Sequence, residues 1–278
     1  MIHPRNVKSY EFSGNLSPYA LAKHFENFRI FAHQKPDIPS IFSTGSPDFT
    51  DDVIGLMRSM SYDVTKEFHE KVGFTFPHHV TGSLMNYSKT SQNFAQSLLH
   101  EKQELVTCFK KITFIDSKTR KVAPVPNYFL ENFKAQSGTR RKPFPIVPVE
   151  EAPVSSFVTK RRVQHSDHDY FQHVNSCVYI EWCMDAASEA VARGKLANFE
   201  QDLAEYRIHE MHLLFLSECF ALDEVEIRVW EKPNCKHTLL FDVNKILENN
   251  KRTRVTFCIL KFYPLSFGFP SAESAPKL

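Results

Sequence analysis

Apolar and polar residues alternate cleanly through the second half of the chain. From Asp223 to Trp230, Val225, Ile227 and Val229 fall on one side and Glu224, Glu226 and Arg228 on the other, the period of a half-buried strand. Thr238 to Lys245 repeats the pattern through Leu239, Phe241 and Val243, and Val255, Phe257 and Ile259 mark another strand. Lys232-Pro233-Asn234 and Glu248-Asn249-Asn250 supply turn chemistry between these three. Glu205 to Glu218 is strand-like but less regular, and Thr159 to His165 reads as a strand ahead of them. Between Ser176 and Arg193 the period changes to that of a helix. Tyr179, Cys183, Ala186, Ala187 and Ala190 share one face, so this helix can lie very close to a sheet. Asn175 suits its N-cap and Gly194 its C′ position.

The first half repeats this order of parts with little identity of residues. Lys8 to Phe12 reads as a short strand. Ser17 and Pro18 suit an N-cap and first-turn proline, and Leu21, Phe25 and Phe28 form a helical stripe. Leu56, Met60, Tyr62 and Val64 then alternate with polar residues, and further strands are expected at Val80 to Tyr87, Ser91 to Leu99 and Leu105 to Ile115. One helix followed by a meander of strands, twice over, predicts an α+β protein in which each helix covers one face of an antiparallel sheet. Pro143, Pro145, Pro148 and Pro153 make the stretch from Ala135 to Ser156 an extended connector. The organisation read from the chain is therefore 1–134, a connector at 135–156, 157–265, and a tail at 266–278.

Composition narrows the function classes. With 25 Phe and only 8 Gly among 278 residues, the chain suits wide apolar surfaces and lacks glycine-loop phosphate motifs. A net charge of +2 offers no broad basic face for nucleic acid. The local runs Thr139-Arg140-Arg141-Lys142 and Lys160-Arg161-Arg162 read as solvated charge or as contacts for phosphates or an acidic carrier surface. Six cysteines without a C-x-x-C pair predict free thiols and no structural metal. No apolar run reaches the roughly 20 residues that a membrane helix needs, and the N-terminus lacks a secretory layout, so a cytoplasmic protein is expected. The terminal Pro276-Lys277-Leu278 partly matches a peroxisomal address.

Chemistry concentrates in Asp167-x-Asp169-x-x-x-His173-Val174-Asn175, between a strand and a helix N-terminus. The first N–H groups of a helix lack internal partners and carry the positive end of its dipole, so a carbonyl placed there is polarised. A carboxylate just upstream can attack that carbonyl or activate a water. Each residue also has a plain structural reading: Asp167 as a turn carboxylate, His173 as a packed histidine, Asn175 as a cap, Glu218 as a strand-end charge. Tyr179 and Trp182 read plainly as helix packing, and Cys219 as a small buried residue with nothing nearby to lower its pKa.

The block resembles the D-x-D-x-x-x-H-V-N signature of hotdog thioesterases, including 4-hydroxybenzoyl-CoA thioesterase-like proteins, and Tyr179, Trp182 and Asp185 continue it in register. The chain most resembles the acyl-ACP thioesterases. Val7-Lys8-Ser9-Tyr10-Glu11 is similar to their opening strand, and the stretch from Thr113 to Lys121 to the end of their first hotdog. Ser217-Glu218-Cys219 and Asp223-Glu224-Val225 are similar to stretches of their second. This resemblance implies a tandem (double) hotdog, each repeat a long helix on a curved antiparallel sheet, with the C-terminal repeat catalytic and the N-terminal one an acyl-pocket wall. It implies catalytic roles for Asp169, His173 and Glu218, oxyanion contacts from the N–H groups of Asn175 and Ser176, and substrate contacts from Tyr179, Trp182 and Phe171. The family's Asn two residues after the Asp is Phe171 here, a departure that single hotdog thioesterases share.

The function so implied is hydrolysis of acyl-CoA or acyl-ACP thioesters without metal or redox cofactor, by a monomer with an internal dimer or by a homodimer. A same-fold protein that binds acyl chains or a partner without turnover is the rival, and hydration or dehydration of a hydroxyacyl thioester stands third.

Overall fold

The computed structural model describes residues 17–33, 52–71, 79–127, 148–169 and 172–265. They fall into two compact units. One holds 23–33, 52–62 and 79–127, and the other 17–22, 63–71, 148–169 and 172–265. The expected strand at Lys8–Phe12, the basic run 139–142, Phe171 and the terminal tripeptide lie outside the described residues.

Helix α1 (Pro18–His33) starts where the sequence places it. Ser17 Oγ accepts the Ala20 N–H at 3.1 Å, and Pro18 fills a first-turn position that needs no donor. Strand β1 (Val53–Val64) follows, then a short helix α2 (Lys66–Lys71) that the periodicity did not reveal, being less than two turns long. Next come β2 (His79–Tyr87), β3 (Ser91–His100) and β4 (Gln103–Asp116). The first unit's strands run in the order β2-β3-β4-β1, with β2–β3 and β3–β4 antiparallel. Leu84, Phe94, Ile112, Phe114 and Val125 pack together in this unit. Gly55 allows a close approach here, since a Cβ there would stand 2.9 Å from Ile112 Cγ2.

The second unit contains β5 (Phe157–Arg162), helix α3 (Val178–Ala192), β6 (Ile208–Phe215), β7 (Glu224–Glu231), β8 (Thr238–Ile246) and β9 (Arg252–Phe262). Its strands run β6-β9-β8-β7-β5, each neighbouring pair antiparallel. Helix α3 lies against β5, β7 and β9. Its predicted small-residue face, Cys183, Ala186, Ala187 and Ala190, is wholly buried. It ends as the glycine predicts: Gly194 has φ +62°, and the Lys195 N–H returns to the Ala190 carbonyl.

The polar row of β7 departs from the simple in/out pattern. Glu226 is only 2% exposed, although its alternation placed it on the solvent side. The reason is a charge lattice across this face. Glu226 accepts from Arg228 and Arg252 (each 2.9 Å), and Arg254 binds Asp242 (2.6 Å) and Glu151 (3.1 Å). Glu151 belongs to the connector, whose described part, 148–156, carries neither helix nor strand. Its Ala152 rests on an apolar cluster of Trp230, Leu240, Phe257 and Ile259. The connector therefore clasps the sheet face opposite α3. Among the described residues no helix is long and apolar enough to cross a membrane.

Candidate active site

The segment from the end of β5 to the start of α3 is folded by its own hydrogen bonds. Asp167 Oδ2 accepts the Gln164 N–H at 2.8 Å and closes a 3-10 turn over His165–Asp167. His168 and Val174 then pair as an antiparallel bridge. Within this bridge the Asp169 N–H donates to the His173 carbonyl (3.0 Å) and the Gln172 N–H to the Asp169 carbonyl (3.1 Å), with Gln172 at φ +60°.

Two further bonds fix this loop to its surroundings. The Val174 N–H donates to the Cys219 carbonyl at 3.0 Å, and the Asn175 N–H to the Asp167 carbonyl at 2.9 Å. The first tether is decisive, because it brings the neighbour of Cys219 to the loop. His173 Nε2 stands 3.9 Å from Glu218 Oε1, while His173 Nδ1 stands 3.5 Å from Asp169 Oδ2 and 3.3 Å from the Val174 carbonyl. The structure thus unites Asp169, His173 and Glu218, with the imidazole between two carboxylates. All three side chains keep partial solvent access, 23%, 16% and 28% respectively. Lys245 holds the Glu218 stretch from behind, through the Glu218 carbonyl and the Asp223 carboxylate.

The helix start corrects one expectation. Asn175 was to offer its N–H to a carbonyl oxygen, but Asp167 already occupies that donor. Asn175 instead shapes the helix entry: its Oδ1 accepts the Cys177 N–H at 2.9 Å and its carbonyl the Val178 N–H. Cys177 is the N-cap, so the helix begins at Val178 rather than Ser176. The Ser176 N–H has no hydrogen-bond partner among the described residues, so of the expected pair it alone is left open to an incoming oxygen. Asp167, 9% exposed and bonded to the backbone, has the structural role that its turn position suggests.

Tyr179 and Trp182 are buried, their rings 5.0 Å apart. Burial, together with the Cys219 thiol beside it, holds the Tyr179 hydroxyl well above its usual range. Cys219 is fully buried, and desolvation pushes its thiol up to about 12, so no thiolate nucleophile forms there at neutral pH. The guanidinium of Arg161 stacks 4.7 Å from the Trp182 ring and reaches Asp185 at 3.4 Å, while Lys160 and Arg162 point to solvent. Only the outer two residues of this basic run are therefore free for an anionic partner.

Sequence reasoning missed Tyr19. It stands in the first turn of α1, yet its hydroxyl is raised by burial and then by Glu181, Cys177 and Asp167, which places it near the start of α3. No local signal marks it, because the approach is between segments about 160 positions apart.

Residues 150–257 match the family model of the acyl-ACP thioesterase C-terminal domain. Among curated proteins none matches in sequence. Solved structures are similar in fold over nearly the whole chain. One is an acyl-ACP thioesterase from Bacteroides thetaiotaomicron (16% identity, 91% of this chain and 93% of that one, TM-score 0.65). Another is a 12:0-ACP thioesterase from Umbellularia californica (12% identity, 92% and 95%, TM-score 0.66). The family match supports thioester hydrolysis in general. The family that the sequence resembles, the acyl-ACP thioesterases, is therefore the family that its C-terminal portion matches.

Proposed function

We propose that the protein is a tandem hotdog acyl thioesterase that cleaves acyl-ACP or acyl-CoA thioesters to free acid and thiol. The supporting observation is the convergence of Asp169, His173 and Glu218 one loop away from the start of α3. In this reading the thioester carbonyl oxygen is held at the helix start, with the Ser176 N–H as a donor and the dipole of α3 adding to it. Asp169 takes a proton from water as the water oxygen bonds to the carbonyl carbon, and the C–S bond then breaks; or Asp169 attacks that carbon itself, the C–S bond breaks to leave an acyl–Asp169 anhydride, and water then hydrolyses the anhydride to the acid and free Asp169. In either course the sulfur leaves as thiolate and takes up the proton released by the water to give the thiol.

His173 serves both carboxylates. One ring nitrogen faces Asp169 and the other Glu218, so the imidazole orients Asp169 and links it to the group that assists the water. Glu218 joins only because the Cys219 carbonyl ties its strand end to the loop. Tyr179, Trp182 and Phe171 are assigned to the acyl side of the site, with the chain running along α3.

A panel of acyl-CoA and acyl-ACP substrates with a free-thiol readout tests this reading. Thiol release by the wild-type chain, lost in Asp169→Asn with an unchanged circular-dichroism spectrum, is the expected result. Turnover unchanged in Asp169→Asn removes the mechanism, and tight binding with no release removes the enzyme.

A further inference from the structure

One buried row of β8 ends on a charge. Leu239, Phe241 and Val243 are each 0% exposed, and the period of two makes Lys245 the next member of their row. In the β7–β8 register Lys245 stands opposite Val225, itself wholly buried. An ammonium group loses hydration at such a place and persists only where other groups replace the water. The Lys245 side chain is 18% exposed, and three groups meet its ammonium. Nζ stands 3.2 Å from Asp223 Oδ2, donates to the Glu218 carbonyl at 3.4 Å, and lies 5.7 Å from the centre of the Phe220 ring.

All three groups belong to one segment. Residues 216–223 join β6 to β7 with neither helix nor strand, so the Glu218 peptide has no place in a strand ladder. Backbone bonds pin the two ends of the segment. The Leu216 and Ser217 N–H groups donate to the Val255 carbonyl, and the Leu222 N–H to the Val163 carbonyl at 3.0 Å. Asp223 Oδ2 also accepts the Phe220 N–H at 2.9 Å and closes a turn between them. Lys245 therefore holds the Glu218 peptide directly and, through Asp223, the turn that follows it.

This grip bears on the candidate site because the contact it serves is long. Glu218 Oε1 stands 3.9 Å from His173 Nε2, so a small swing of the Glu218 peptide carries the carboxylate out of reach. We propose that Lys245 is a positioning residue for Glu218: its ammonium holds the Glu218 carbonyl and the Asp223 carboxylate, and so keeps the Glu218 side chain at His173. The inference rests on the thioesterase reading and adds to it a residue of β8 that lies outside the Asp167–Asn175 block.

The experiment measures kcat and KM with a free-thiol assay on the acyl thioester that the wild type cleaves fastest. Lys245→Met, Lys245→Arg and Asp223→Asn are each made in the wild type and in Glu218→Gln, with thermal unfolding of every variant. Lys245→Met should lower kcat by about 10- to 100-fold, the usual worth of a misplacement near 1 Å, with KM little changed. In Glu218→Gln the same substitution should cost less than about threefold, because the carboxylate that Lys245 positions is already gone. Lys245→Arg keeps the charge and the donors and should recover most of the rate. Asp223→Asn, which keeps an acceptor for the Phe220 N–H, should lower kcat in the wild type and leave Glu218→Gln nearly unaffected. A kcat that survives in folded Lys245→Met overturns the proposal, as does a loss of equal size in both backgrounds, which marks a merely structural ion pair. If Lys245→Met fails to fold, the Asp223→Asn comparison decides in the same way. Turnover that needs Asp169 but not Lys245 removes this inference alone; no turnover by the wild type, or full turnover in Asp169→Asn, removes the thioesterase reading and this inference with it.

Discussion

Asp169 and His173 are joined twice. The Asp169 N–H donates to the His173 carbonyl at 3.0 Å, and His173 Nδ1 stands 3.5 Å from Asp169 Oδ2. A four-residue separation is thus closed through both backbone and side chains. The two contacts hold the carboxylate and imidazole in one relative geometry, and such preorganisation lets a general base act without reorganising at the moment of reaction.

Removing either member should therefore cost rate rather than stability. Asp169→Asn and His173→Ala are each expected to lower kcat by about 100- to 10,000-fold, the usual worth of positioned acid–base groups. Both should unfold within a few degrees of the wild type, since neither side chain is fully buried. Glu218→Gln should cost less than Asp169→Asn, because in the proposed mechanism Glu218 only assists the water, and its place is kept through the Cys219 carbonyl. Steady-state kinetics with a free-thiol assay checks all three; equal losses for Glu218→Gln and Asp169→Asn would reassign the base.

Much of this was legible in the sequence, and the limits have physical reasons. Strict period-two alternation placed β7, β8 and β9 within a few residues, and Ser17-Pro18 and Gly194 marked two helix ends, because these signals are local. The burial of Glu226 was not legible: alternation tells which side a residue takes, not whether a connector clasps that side. The engagement of the Asn175 N–H by Asp167 depends on the 3-10 turn at His165–Asp167, which no apolar period announces. Glu218 entered only through family resemblance, since nothing in the 44 intervening positions ties it to His173. The tether is a backbone carbonyl, which leaves no trace in residue identity.

The charge lattice on the outer sheet face gives a stability prediction. Arg254 bonds Asp242, itself nearly buried, and reaches Glu151, which is 89% exposed. Arg254→Met strands the Asp242 carboxylate and should cost about 3–5 kcal/mol in chemical denaturation. Glu151→Ala removes only an exposed partner and should cost about 1 kcal/mol or less. Comparable losses for the two would mean that the connector, rather than the buried pair, carries the effect.

Acid should destabilise the second unit in two successive windows. Burial lowers His69 from 6.5 to about 4, with its Nε2 fixed on the Ile208 carbonyl at 2.8 Å. Between these values the unfolded chain holds the extra proton, so stability falls as pH drops from 6.5 to 4. His209, also lowered by burial and stacked on Tyr263 at 4.4 Å, adds in the same direction. Glu210 is lowered from 4.5 to about 2 by its hydrogen bonds from His212 and then Lys261, so its contribution is present above 4.5 and is lost as pH falls to 2. His69→Gln, which keeps a donor for Ile208, should flatten the upper window alone, and Glu210→Gln the lower one alone. Urea midpoints measured from pH 7 to pH 3 separate them.

Thiol chemistry offers an independent check on which group reacts. Of the six cysteines only Cys235 is exposed, and the other five are buried. Burial raises Cys108 to about 11 and Cys219 to about 12, so neither supplies thiolate under native conditions. Iodoacetamide at neutral pH should therefore add one label, at Cys235, and the remaining five should label only when the chain unfolds. Because the proposed chemistry runs through Asp169, the singly labelled protein should cleave thioesters at the unlabelled rate. A proportional loss of activity with the first label would point to a cysteine in the reaction path; peptide mass mapping would tell whether it is Cys219, the thiol nearest Glu218 in sequence.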